Sequence, residues 1–200
     1  MKRAVLGAAV VLGLVLAGVS DAQAQGLHLG IQGGYNYAQL SDVPSDIGEI
    51  GDKGSFVVGA YVDIQFHKLL FIGVEGNYVE YKSEADGDVF KQGQIQIPAY
   101  LGVRLANGLL QPNLYAGAAA SFEASCDIES VSCEDADVST KSAIWSAVFG
   151  GGLDVALGFI RLNGDVRYNL GLSKVVDEEG VDTKWNSWMF LVGAGIGLGN

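Results

Sequence analysis

The chain is 200 residues long, 49% hydrophobic and 18% charged, with a formal net charge of −11. Such a length suits one domain. So acidic a chain lacks the basic surface that nucleic acid requires, and that partner class is excluded.

The first element stands apart from the fold. Lys2 and Arg3 open it, Ala4 to Val19 is an apolar run, and Ala22-Gln23-Ala24 is a small-x-small pattern. These features predict a secretory leader over residues 1–24, cleaved before Gln25, with residues 25–200 forming a single domain. The apolar run is short for a membrane span and meets a cleavage pattern at once. No later segment reaches the apolar length of a membrane helix. An exported chain of this kind is either soluble or a membrane β-barrel, because only helices and closed barrels satisfy their backbone groups in lipid.

Eight strand-like segments follow in order: Leu27–Gln39, Ser55–Phe66, Leu69–Lys82, Gln94–Leu105, Asn113–Glu123, Ala143–Leu157, Ile160–Leu172 and Ser187–Leu198. Each reaches the roughly 9–11 residues that cross a bilayer at a tilt. Short turns (His67-Lys68, Ala106–Pro112, Gly158-Phe159) alternate with longer polar segments (Leu40–Gly54, Ser83–Gly93, Ala124–Ser142, Ser173–Asn186). With antiparallel neighbours, all the short turns fall at one end and all the long loops at the other, as in outer-membrane barrels.

Each strand alternates. In Phe159–Leu172, FIRLNGDVRYNLGL, the residues Ile160, Leu162, Val166, Tyr168 and Leu170 share one face, and Arg161, Asn163, Asp165, Arg167 and Asn169 the other. Over all eight strands the second face holds Asp63, Glu75, Arg104, Glu123, Asp154, Arg161, Asp165 and Arg167 among many Gly, Ala, Asn and Tyr residues. A solvated outer face would instead be rich in Lys and Glu. A small closed barrel has room inside only for packed side chains, which suits small residues and paired opposite charges. The expectation is an all-β, eight-stranded antiparallel up-and-down transmembrane β-barrel. Its lumen would carry those eight residues as a charge network, and its apolar face would meet lipid. Tyr35, Tyr37, Phe56, Tyr78, Phe122, Trp145, Tyr168 and Trp188 lie on apolar faces near the long-loop ends, the height of an interfacial aromatic girdle.

The pattern resembles the small eight-stranded outer-membrane barrels, the family that includes OmpX and the membrane domain of OmpA. The segment QIQIPAYLGVRLANGLLQPNLYAGAAASF (Gln94–Phe122) is similar to PorT-like outer-membrane barrels: a strand with an Ile-Pro step, a short turn, then a strand with an aromatic-x-Gly. The resemblance implies outer-membrane lipid as the surroundings and the barrel-assembly machinery as a folding partner. That machinery usually reads an aromatic last residue, whereas this chain ends Leu198-Gly199-Asn200.

Cys126 and Cys133 close the polar segment CDIESVSC, with no His or further Cys to join them as metal ligands. They read as a loop disulfide made in an oxidising compartment, with two free thiols as the alternative. No catalytic constellation is expected. His28 and His67 fall at the short-turn end, away from outer-leaflet substrates, and charge pairing accounts for the wall carboxylates. Gly150-Gly151-Gly152 and Gly193–Gly199 alternate within strands with no helix after them, so they form no phosphate loop. Glu84–Phe90, EADGDVF, lacks the ligand spacing of an EF-hand. No cofactor or metal is expected.

The long loops collect acid, for example Glu84, Asp86 and Asp88, or Asp177, Glu178, Glu179 and Asp182. That is a solvated face, or one that bridges divalent cations to lipopolysaccharide or meets a basic extracellular partner. The reading is a non-enzymatic outer-membrane barrel with a structural or interaction role, acidic outer loops and a polar, side-chain-filled lumen. A narrow pore and a secreted lipocalin-like carrier of an apolar ligand are the alternatives.

Overall fold

The computed structural model describes residues 26–41, 51–85, 88–128, 131–132, 143–173 and 184–198. The expected leader and Cys133 lie outside them. Among the described residues there are nine strands: β1 (Gly26–Ser41), β2 (Gly51–Gln65), β3 (Leu70–Ala85), β4 (Asp88–Arg104), β5 (Leu110–Ile128), β6 (Val131–Ser132), β7 (Ile144–Leu157), β8 (Ile160–Gly171) and β9 (Lys184–Leu198). The two-residue β6 pairs only with the end of β5. The other eight pair with their neighbours in the chain, and β1 pairs with β9 from Leu27↔Leu198 to Ser41↔Lys184. The result is a closed, antiparallel, up-and-down eight-stranded barrel.

The strands run further at the long-loop end than the sequence pattern suggests. The pattern predicts a loop over Ser83–Gly93, yet β3 continues to Ala85 and β4 begins at Asp88. Likewise β2 begins at Gly51, β5 runs to Ile128 and β9 begins at Lys184. The reason is physical. Above the lipid the outward positions are no longer apolar, so the period-2 signal fades while the backbone ladder continues. Irregularities between Lys53 and Val57 and between Gly93 and Gln94 also shift the alternation there.

The two faces separate cleanly. Along β2, Ser55, Val57, Tyr61 and Asp63 are buried, while Phe56 and Val58 are exposed. Along β8, Arg167 is 1% exposed and its neighbour Val166 44%. The exposed face carries Ile31, Leu101, Leu114, Phe149, Phe190 and Val192 on successive parts of the wall. So continuous an apolar surface exceeds what a soluble monomer carries and belongs in lipid. A soluble carrier would turn its apolar face inward around a ligand, and that alternative is set aside.

Inward rings need room on a curved wall, and glycines supply it. Gly30, Gly73, Gly102 and Gly150 lie directly across from Tyr61, Tyr100, Phe71 and Tyr115. A Cβ at any of the four would collide with the opposing ring. This is an aromatic side chain covering a cross-strand glycine. At the short-turn end, Gly158 turns the chain between β7 and β8 with φ +69, which favours glycine.

The facing sets one expectation for stability. Val166→Arg should lower unfolding stability by about 2–4 kcal/mol, since it places a charge near the middle of the lipid-facing wall. Val166→Ile should be almost silent. Urea titrations in phospholipid vesicles check both, and equal, small effects would contradict the assigned facing.

Candidate functional site

The lumen is organised around one ion pair. Glu75 on β3 and Arg167 on β8 come from opposite sides of the ring, four strands apart in either direction. Arg167 donates through Nη2 to Glu75 Oε1 at 2.6 Å and through Nη1 to Oε2 at 2.7 Å, a two-pronged pair across the full diameter. Both side chains are 1% exposed. Their remaining capacity is filled. Gln32 and Asn77 each donate to Glu75 Oε2 at 2.7 Å, and Tyr100 donates to Oε1 at 2.8 Å. Arg167 Nε donates to Tyr115 Oη at 3.0 Å, and its guanidinium lies 5.6 Å and 5.3 Å from the Tyr100 and Tyr115 ring centres. The two rings contact each other at 4.5 Å. A buried ion pair is favourable only when its geometry is good and its polar atoms are satisfied. This pair meets both conditions.

Nearer the short turns, Arg104 on β4 links acids on strands two steps away on either side. It donates to Asp154 on β7 at 3.3 Å, to Asp63 on β2 at 3.4 Å and to Gln65 at 3.2 Å. Its guanidinium sits 4.3 Å from the centre of the Phe71 ring. Arg161 Nη1 approaches Asp154 Oδ2 at 3.8 Å, and Asn113 donates to Asp154 Oδ1 at 3.3 Å. Asp165 accepts Asn163 Nδ2 at 3.1 Å.

The structure therefore brings Asp63, Arg104, Asp154 and Arg161 together as one group and Glu75 with Arg167 as another. Glu123 joins neither. It is an exposed residue at the long-loop rim and accepts from Gln92 at 2.9 Å, because β5 there has climbed beyond the charged levels.

The lumen is also less uniformly polar than the alternation implies. Toward the long loops Ala38, Val57, Val79, Tyr81, Ile144, Trp185, Met189 and Leu191 form a buried apolar cluster. Its Trp185 and Tyr81 rings are 5.2 Å apart. Trp185 falls in a segment expected as loop, and Met189 and Leu191 lie on a strand apolar on both faces, where alternation carries no signal. The amides and tyrosines around the ion pair were legible as inward but not as partners, since that depends on register and stagger. Between cluster and ion pair lie buried amides and hydroxyls, including Asn36, Gln94, Gln96 and Asn169.

On the outer wall, Tyr35, Tyr37, Phe56, Phe122, Trp145 and Trp188 are exposed and Tyr78 and Tyr168 half-buried. Phe56 meets Tyr78 at 5.8 Å and Tyr168 meets Trp188 at 4.9 Å. His28 lies on β1 at the short-turn end, opposite Asp63 and Gly197. His67 is exposed in the β2–β3 turn, where its Nδ1 accepts the Leu69 N–H at 3.3 Å. Among the described residues no three His, Cys, Asp or Glu side chains are grouped to hold a metal ion.

Such a wall, apolar outside and ion-filled inside, is that of a small transmembrane barrel. The chain belongs to the outer membrane protein beta-barrel domain family, which matches residues 22–199. It is a protein of the cell outer membrane, surrounded by its lipid. Among solved structures it is similar to Neisserial surface protein A, with 18% identity over 85% of this chain and 96% of that one, and a TM-score of 0.61. It is also similar to OprG from Pseudomonas aeruginosa, with 17% identity over 86% and 96% and a TM-score of 0.58. At such identities the likeness is one of fold. A search of curated proteins gives no match.

The central pair yields a double-mutant expectation. Arg167→Leu leaves a buried carboxylate unpaired and should destabilise by about 3–5 kcal/mol. Adding Glu75→Gln removes that charge and keeps one amide oxygen to accept from Gln32 and Asn77, while its N–H can donate to the Tyr100 hydroxyl, so it should recover more than half of the loss. Equilibrium unfolding of the four proteins of the cycle measures this; an additive double mutant would mean the pair is uncoupled.

Proposed function

We propose that the protein is a non-enzymatic barrel that acts through what it displays outside the cell, its lumen serving as a structural plug. The observation that carries this reading is a projection of the rim among the described residues. Beyond the outward aromatic residues, residues 79–85 of β3, 88–94 of β4 and 123–128 of β5 continue as one paired sheet. At roughly 3.3 Å per residue, the β3–β5 sheet stands about 20 Å beyond the aromatic level along its strands. A wall built only to span lipid does not need it, whereas a surface presented to a partner does.

The eight outward aromatics act as the outer interfacial girdle in this reading, and the wall charges other than Glu123 as the plug. The projecting sheet and its acidic loops meet a basic extracellular partner, or lipopolysaccharide through divalent cations. The barrel-assembly machinery inserts the chain. Most of the acidic loop residues, those of 42–49, Glu129, Glu134, Asp135, Asp137 and 177–182 among them, lie outside the described residues. So does Cys133. A Cys126–Cys133 bridge in this display region is supported by the described register above it: Asp127 pairs with Ser132 and Ile128 with Val131, an order that leads back to 126 and on to 133. Closing so short a loop would add roughly 2–3 kcal/mol in chain-entropy models.

Two measurements test these readings. Planar bilayers containing the refolded protein should show no discrete conductance steps, and resolved steps would favour the narrow pore. Mass spectrometry of protein alkylated before and after reduction should find 126 and 133 blocked until reduced, with the barrel still folded afterwards; two free thiols in the native protein would refute the bridge.

A further inference from the structure

Between the Glu75–Arg167 pair and the Arg104 group lies a cavity of about 20 Å³, lined in part by Asp63, Asn113, Asp154 and Arg161. Three of these residues present buried atoms that make no hydrogen bond to protein: Asp63 Oδ1, Asn113 Oδ1, and Arg161 Nε and Nη1. Each residue is more than nine-tenths buried. Their other atoms are engaged, Asp63 Oδ2 with Arg104 at 3.4 Å and Asn113 Nδ2 with Asp154 at 3.3 Å. Arg161 Nη1 stops 3.8 Å from Asp154 Oδ2, beyond direct hydrogen-bond reach and at the separation a bridging molecule spans.

The chemistry of those atoms selects the ligand. Two are acceptors and the rest are donors. A cation would satisfy Asp63 and Asn113 but would face the Arg161 N–H groups. An anion would satisfy Arg161 but would lie among Asp63, Asp154 and Asp165, which all line the cavity. Water donates and accepts at once, and a buried water needs roughly 10–15 Å³ and two to four polar partners. The space and the partners are both present.

We propose that this cavity is a structural hydration site in which about one or two ordered waters donate to Asp63 Oδ1 and Asn113 Oδ1 and accept from Arg161. The waters tie Asp63 on β2, Asn113 on β5 and Arg161 on β8 into one network with the Arg104 group. The apolar cluster around Trp185 lies on the long-loop side of the site. The site is independent of any extracellular role of the protein.

The test uses the full barrel refolded in detergent micelles, with nitrogen-15 in its arginine and asparagine side chains. Water-to-side-chain cross-relaxation should appear at Arg161 Nε–H and be absent at Arg167 Nε–H, which is bonded to Tyr115. Asn113→Leu, which removes an acceptor and fills the space, should abolish the Arg161 signal and leave the Arg167 resonance in place. An Arg161 without a water signal in the native protein overturns the proposal, whether or not the variant folds. So does an Arg161 signal that survives Asn113→Leu unchanged. A shift of the Asn113 and Arg161 resonances when sodium replaces a bulky organic cation would mark an ion site instead.

Discussion

A closed wall of eight strands encloses a space that can be neither emptied nor left with an uncompensated charge, and the Glu75–Arg167 pair is how this chain meets that constraint. The pair reaches across the whole diameter, so it ties together two strands that share no backbone hydrogen bond. It is buried, bidentate and surrounded by donors and acceptors that engage both of its ions. Everything near it follows from that demand. Tyr100 and Tyr115 stack to bring their hydroxyls to the ions, and they can stack there only because Gly73 and Gly150 stand opposite their rings.

The same pair specifies register. Sliding β3 or β8 by one residue would turn every inward side chain of that strand toward lipid, Glu75 or Arg167 included. A mid-membrane charge is unfavourable by a few kcal/mol, and its stranded partner inside adds to that. The apolar outer face alone penalises slippage on each strand separately. A diametric ion pair makes the penalty common to two strands at once. The lower group around Arg104 repeats the device over shorter distances, connecting β4 to β2 and to β7. The apolar cluster at the other end then completes the filling with packing in place of charge.

Much of this architecture is readable from the residues. Strict alternation in β2, β4 and β8 separates wall from lumen, and the sorting of short turns from long loops orders the strands. Glu75, Arg104, Asp154 and Arg167 are conspicuous because ions are rare on such strands. What the residues leave open is stagger. Alternation says that Glu75 and Arg167 share the lumen, but only the register of all eight ladders says that they share a level. Glu123 has the right parity and the wrong height. The strand extensions at 83–93 and 124–128 are silent for a different reason, since above the lipid neither face needs to be apolar. Trp185 is hidden among polar neighbours in the same way. Family membership fixes the setting as the outer membrane.

Alternate residues of one wall face lipid and an ion-filled lumen. Nitroxide labels placed one at a time from 162 to 170 on β8, in protein reconstituted into vesicles, measure this facing directly through relaxation by oxygen, which concentrates in lipid. Even positions should relax strongly and odd positions weakly, with 166 and 167 showing the sharpest contrast. The reverse phase, or no alternation at all, would contradict the account.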